Sequence, residues 1–337
     1  MDSGRSPDRR EWDIVAACVL IVTALSAVWV TIGAGTGLTA SPGGSMVRDL
    51  IGALKRREKT LGFRNTKNFH SHSSQTAADY RCYYTGKLEL PESYEGLKLK
   101  TGTKDGCTLD PAKFDVFFYP VEAVGSGKTP VTSSLEHDSM ERLLVVVPHE
   151  DFHGSEQLRK LPATLNEAAS TLIGFLTAAE VAREKFGPGS EVYRNLLREP
   201  ELFLRKSAIV NRYHERLAQL YAAAQSGELG EPEALAQKKR LFEEAQKTCQ
   251  SITPDPRSFN KCLAADNNAG LAFDETYSKY YPMIYQLHAA NGQDLRATVN
   301  GLKQVLAAGS EAEAVGGLRA LTNKADDRLP ASPTSLQ

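Results

Sequence analysis

The chain has 337 residues, of which 41% are apolar and 24% are charged, and its formal net charge is -1. This length suits one large domain or two smaller ones with a sizeable core. Without a basic excess, the composition predicts no nucleic-acid partner.

The first predicted element is an uncharged apolar run, residues 14–32, which is long enough to cross the core of a bilayer. Arg5, Arg9 and Arg10 precede it. By the positive-inside rule, residues 1–13 stay in the cytoplasm and the rest of the chain lies outside it. We therefore predict a single-pass membrane protein whose main domain is in the periplasm or outside the cell.

Two alternatives to a membrane anchor remain open. A cleaved signal peptide is the second interpretation, because small residues near Ala40 could form a cleavage site. A lipoprotein attached through Cys18 is the third. Each of the three places the main domain outside the cytoplasm.

The cysteines fit an exported protein. Apart from Cys18, they are Cys82, Cys107, Cys249 and Cys262, an even number in two local pairs. In an oxidising compartment we expect them to form two disulfides, although the sequence leaves the connectivity open. Four free thiols are the alternative.

The remaining pattern predicts an α+β protein with a small β-rich portion followed by a mostly helical one. Gly, Ser and Thr are frequent after the apolar run, so residues 33–60 are interpreted as a linker. Residues 61–309 form the predicted domain, and the small polar residues of 310–337 predict a disordered tail. Strands are predicted at 79–90 and 114–121, and helices after Leu165 up to Gly187 and at about 190–225, 232–250, 267–288 and 293–307.

A metal-site motif stands at His149 and His153, which are four residues apart and share one face of a helix. Two imidazoles so placed can bind one zinc ion. Glu150 is then in position to act as general base toward a zinc-activated water. Pro148 predicts that this helix begins there, and Asp151 is interpreted as either a supporting partner or a solvent-facing residue. A surface helix with two solvated histidines is the alternative.

A third protein ligand is needed. The metzincin pattern requires Gly and His further along the motif, and Glu156 and Arg159 occupy those positions instead. Glu167, fourteen residues after His153, is the better candidate, since two His and one Glu form a known zinc set. Its alternative role is a capping box at a helix start with Thr164.

These residues resemble those of a known family. The histidine motif followed by the run from Asn166 to Gly174, and a second block from Asn267 to Pro282, are similar to the bacterial family of predicted aminopeptidases. The resemblance spans roughly 110–290. It implies a zincin-like, single-zinc metallopeptidase core that is usually exported. By position, it implies that His149, His153 and Glu167 bind Zn²⁺ and that Glu150 is the base.

Other residues of these blocks are candidates for supporting roles. Tyr277 could donate a hydrogen bond to the oxyanion that forms during peptide hydrolysis, or it could be a core tyrosine. Asn166, Asn267 and Asn268 could support the metal ligands or the substrate, or could cap helices. The run 125–129 resembles part of a phosphate-binding loop but is predicted to be a turn.

Taken together, the sequence predicts a membrane-anchored, extracytoplasmic, zinc-dependent peptidase, with an aminopeptidase as the form that the resemblance implies. A non-catalytic member of the same fold that binds zinc, peptides or cell-envelope partners is the alternative. A plain membrane-anchored scaffold is the third reading. The choice between exo- and endopeptidase, and the oligomeric state, stay open.

Overall fold

The computed structural model describes residues 44–154 and 161–326. The predicted N-terminus and apolar segment at 1–32, and the end of the predicted tail at 327–337, lie outside the described residues. Among the helices that are described, none combines the length and apolar character needed to cross a membrane.

The described part is a mixed α+β structure, dominated by helices, with one three-stranded sheet. Two short 3-10 helices, Tyr94–Gly96 and Lys104–Gly106, flank the second strand. The strands are β1 (Asp79–Gly86), β2 (Lys98–Thr101) and β3 (Phe114–Val121), and the helices are α1 (Gly44–Thr60), α2 (Ser133–His137), α3 (Met140–His153), α4 (Ala163–Phe186), α5 (Glu191–Gln225), α6 (Glu231–Cys249), α7 (Asn268–Ser278), α8 (Tyr281–Ala290), α9 (Leu295–Leu306) and α10 (Glu311–Asp326).

The sheet is antiparallel in the order β2-β1-β3, with Tyr83 of β1 opposite Phe117 of β3. β1 and β3 lie where strands were predicted, whereas β2 was not predicted. All four residues of β2 are exposed, so its sequence carries no alternation of buried and exposed positions. Two disulfides, Cys82–Cys107 and Cys249–Cys262, join the cysteines in their local pairs.

Helix α3 begins earlier than the sequence predicts. Instead of starting at Pro148, it runs continuously from Met140, and Ser139 caps it by accepting a hydrogen bond from the backbone N–H of Arg142 at 3.1 Å. Proline removes one helical hydrogen bond. The predicted helix start at Pro148 is wrong because the apolar segment 143–147 before it packs as a buried helix in the main core.

Two predictions at the ends of the domain also differ from the structure. Residues 44–60 of the predicted linker form α1, which packs against α3 and α4 with Val47 and Leu54 fully buried. Residues 311–326 of the predicted disordered tail form α10, which packs on α8 and α9. Both segments are amphipathic, and their sparse apolar residues are the ones that contact the core.

We predict that α10 contributes to stability. Leu318 is fully buried, so Leu318→Ala should lower the free energy of unfolding by about 2–5 kcal/mol through lost contacts and a cavity. Denaturant unfolding of the purified chain measures this. Gly316→Ala is the control, because a Cβ there meets no neighbouring atom and the change should be neutral or stabilising. If both variants had the same free energy of unfolding, α10 would not contribute to stability, as expected of a disordered tail.

Candidate metal centre and adjoining cavity

The ends of two helices bring His149, His153 and Glu167 together. The histidines lie one turn apart near the end of α3, and Glu167 lies in the second turn of α4. His153 Nε2 is 3.0 Å from His149 Nε2 and 3.1 Å from Glu167 Oε2, and His149 Nε2 is 3.2 Å from the same oxygen. Within the described residues, these three form the cluster of side chains able to hold a metal ion.

The spacing of these three atoms fits a tetrahedral metal. Zinc with ligands at about 2.0–2.1 Å has ligand-to-ligand edges of about 3.3 Å, close to the triangle formed by the two nitrogens and the oxygen. A metal above this triangle would keep a fourth position open. The donor set, two imidazole nitrogens and one carboxylate oxygen, is also one that zinc accepts.

Asn166 contacts the far side of the His153 ring. Its Oδ1 lies 2.7 Å from His153 Nδ1, and the hydroxyl of Ser170 lies 3.3 Å from the same nitrogen. An amide oxygen can only accept a hydrogen bond, so Nδ1 carries the proton. In the neutral ring, the lone pair then resides on Nε2, the atom that faces His149 and Glu167.

Tyr94, which the sequence analysis missed, holds the second oxygen of Glu167. Its hydroxyl donates a hydrogen bond to Glu167 Oε1 at 2.8 Å, leaving Oε2 for the histidines. Tyr94 belongs to a 3-10 helix far from α4 in sequence, and no local pattern marks it. The capping box with Thr164 does not form, since Pro162 precedes α4 and Thr164 lies inside it.

The charges of this cluster depend on one another. Burial alone would raise the pKa of Glu167, but His153 and His149 hold it well below its usual range. Burial alone would lower the pKa of His153, but the Glu167 carboxylate raises it to about 9. In the metal-free chain, a proton on His153 therefore compensates the buried carboxylate.

Glu150 lies beside the cluster and lines a cavity together with His149. Burial raises the pKa of its carboxyl group, while His149 and His153 act in the opposite direction. The turn after β3 packs closely on this residue. A Cβ on Gly125 would lie 3.0 Å from the Glu150 carbonyl oxygen and 3.2 Å from its carboxylate, so only glycine fits there without displacement.

Tyr277 lies over the His149 ring, with ring centroids 6.3 Å apart and planes inclined by 26°. It also lines the cavity, and burial raises the pKa of its hydroxyl well above the usual value. The hydroxyl therefore stays protonated and can only act as a neutral donor or acceptor.

Asn267 and Asn268 lie away from the histidines, at the joint between α7 and the sheet. Asn267 caps α7 by accepting from the N–H of Gly270 at 3.0 Å, and its amide donates to the Val116 carbonyl. Asn268 is fully buried and its amide donates to the carbonyls of Lys87 and Glu89. These contacts agree with the alternative in which the two asparagines cap a helix and join elements of the fold. They do not place either side chain beside the candidate metal ligands.

Asp151 is on the opposite face of α3 and is fully buried, so the solvent-facing interpretation is wrong. It forms an ion pair with Lys55 of α1 and accepts hydrogen bonds from Thr66 Oγ1 at 2.5 Å and Asn68 Nδ2 at 2.9 Å. These contacts attach α3 to the N-terminal segment of the domain.

A cavity of about 520 Å³ opens beside His149 and Glu150. It lies between β3, α3, α4, α5, α7 and the loop 257–264. Its volume is typical of a site for a small molecule or a few residues of a peptide.

Comparison with known families identifies the family of this chain. A family model described as "Putative aminopeptidase" matches residues 100–315, which include the histidine motif, Glu167 and Tyr277. Searches of curated proteins and of solved structures found no match to this chain. Since the matched segment covers more than half of the 337 residues, the chain belongs to this aminopeptidase family, which supports peptidase activity.

Proposed function

We propose that the chain is a zinc-dependent peptidase with a zincin-like core, whose metal is held by His149, His153 and Glu167. The observation that carries this proposal is the triangle of two imidazole nitrogens and one carboxylate oxygen with edges of 3.0–3.2 Å. Family membership supports a peptide as substrate, and an aminopeptidase is the proposed form.

When bound, zinc would supply a Lewis acid that polarises a peptide carbonyl and activates water. Glu150 would accept a proton from the attacking water and return it to the leaving amine. Its raised pKa suits this cycle, because a general base works best when its pKa approaches the working pH. The protonated hydroxyl of Tyr277 would donate to the oxyanion that develops on the substrate.

We further propose that this domain acts outside the cytoplasm, anchored by residues 14–32. The two disulfides support export, because such bonds form and persist in oxidising compartments. The alternative of a non-catalytic member rests on Pro148 and Asp151. The structure accommodates both residues without disturbing the cluster, so we favour the enzyme.

The first test is metal content. The purified chain should carry about one zinc per molecule, measured by inductively coupled plasma mass spectrometry, because three ligands and an open position suit zinc. His153→Ala and Glu167→Ala should each lose it. His214→Ala is the control, since that ring contacts the Pro91 carbonyl instead. No zinc after supplementation, or full occupancy in both ligand variants, would contradict the proposed site.

A second test separates chemistry from metal binding. Glu150→Gln should keep zinc but lower kcat by roughly 10²–10⁴-fold, because the amide cannot accept the proton. The readout is cleavage of a peptide pool followed by mass spectrometry, with zinc content measured on the same sample. Unchanged turnover would exclude Glu150 as the base. Zinc without any turnover in the unmodified chain would favour the non-catalytic alternative.

A third test concerns Tyr94. Tyr94→Phe should weaken zinc affinity by about 10–100-fold, because partners that orient a metal-binding carboxylate have effects of this size. Competition with a chromophoric chelator measures the dissociation constant. Tyr84→Phe is the matched control, since the Tyr84 ring packs against Phe114 on the sheet. Equal affinity in both variants would show that Tyr94 does not orient Glu167.

A further inference from the structure

We propose that the cavity beside His149 and Glu150 is a specificity pocket for a large apolar side chain of the substrate, with aromatic residues preferred. This inference rests on the proposed function, because it assigns the cavity to the same site. The volume of about 520 Å³ exceeds that of a single side chain and leaves room for the adjoining backbone.

One wall of the pocket is aromatic and leads to the metal cluster. The Phe273 ring of α7 lies 4.9 Å from Phe117 and 4.8 Å from Tyr119, both on β3, measured between centroids. Tyr277 follows at 5.3 Å from Phe273 and overlies His149. A side chain inserted along this wall would place its backbone near the histidines and Glu150.

A second part of the lining is also aromatic. Phe259 of the loop 257–264 lies 4.9 Å from Phe203 of α5 and 5.7 Å from Phe175 of α4. Apolar rings in both parts of the lining favour an apolar or aromatic substrate side chain through burial and ring contacts.

Two ion pairs form within the lining of the cavity. Glu122 accepts two hydrogen bonds from Arg142, at 2.9 and 2.8 Å. Lys206 pairs with Asp274 at 3.0 Å, and both side chains are buried. A charged substrate side chain beside these two pairs would lose its water without gaining a free counter-charge, so this part of the pocket should disfavour Lys, Arg, Asp and Glu.

The loop that carries Phe259 is held in place from several sides. Glu199 accepts hydrogen bonds from the backbone N–H groups of Arg257 and Ser258, at 2.8 and 3.2 Å. Lys206 donates to the carbonyls of Asn260 and Cys262, and the disulfide of Cys262 closes the loop. The pocket is therefore preformed, which reduces the ordering needed on binding.

The first experiment measures selectivity with the zinc-loaded full chain. A pool of peptides is digested, the new termini are identified by mass spectrometry, and kcat/KM is then measured for matched peptides with Phe, Leu, Ala, Lys or Glu at the position next to the cleaved bond. We expect Phe and Leu to exceed Lys and Glu by about tenfold or more. Equal rates, or a preference for a charged residue, would overturn the inference.

A variant that fills the cavity tests whether the preference for apolar side chains arises there. Ala264 lines the cavity, so Ala264→Trp should lower kcat/KM for the Phe peptide at least about tenfold more than kcat/KM for the Ala peptide, with zinc content retained. Ala236→Trp on the exposed surface of α6 is the matched control. Should Ala264→Trp fail to fold by circular dichroism, Ala264→Leu replaces it with the same expectation. An unchanged Phe preference in the folded variant would overturn the assignment.

A binding measurement separates this inference from the proposed function. Saturation-transfer NMR should show signal on the ring of phenylalaninamide, little on the side chain of lysinamide, and loss of the ring signal in Ala264→Trp. With zinc bound, this pattern without peptide cleavage would support the pocket and contradict the peptidase. Peptide cleavage without apolar preference or ring signal would support the peptidase and overturn the pocket.

Discussion

The close packing of α3 on α4 is the contact on which the candidate site depends. Gly174 lets the helices approach: a Cβ there would lie 3.0 Å from the Val145 carbonyl oxygen and 3.2 Å from His149 Cβ. A larger residue would separate the helices at the level of His149. Because Glu167 lies on α4 and its partners on α3, the distance between the helices determines whether the three ligand atoms meet.

The opposite face of α3 is fixed by a different set of contacts. Asp151, between the two histidines in sequence, is buried against Lys55, Thr66 and Asn68. Leaving such a carboxylate without partners would be strongly destabilising, so α3 is anchored where its histidines must be held. The segment 149–153 therefore presents His149 and His153 to the candidate site on one face and Asp151 to the N-terminal part of the fold on the other.

The sequence predicted most of what is encoded locally and missed what depends on distant contacts. The end of α4 at Gly187 is confirmed, because Gly187 adopts a positive φ of 84°. β2 and α10 were missed because short or sparse apolar patterns give weak local signals. The structure brings together His149, His153 and Glu167, whose spacing the sequence shows. Tyr94, by contrast, reaches Glu167 across 73 residues, and only the fold shows that contact.

The electrostatics of the cluster also bear on the metal. Two carboxylates, Glu167 and Glu150, lie close together in a buried region, where unpaired negative charge is unfavourable. The metal-free chain offsets this charge with a proton on His153, whose pKa is raised to about 9. A divalent cation would replace that proton and offset both carboxylates at once. In the proposed zinc site, charge as well as spacing would thus favour a dication, and the aromatic walls beside it would strengthen this attraction by excluding water.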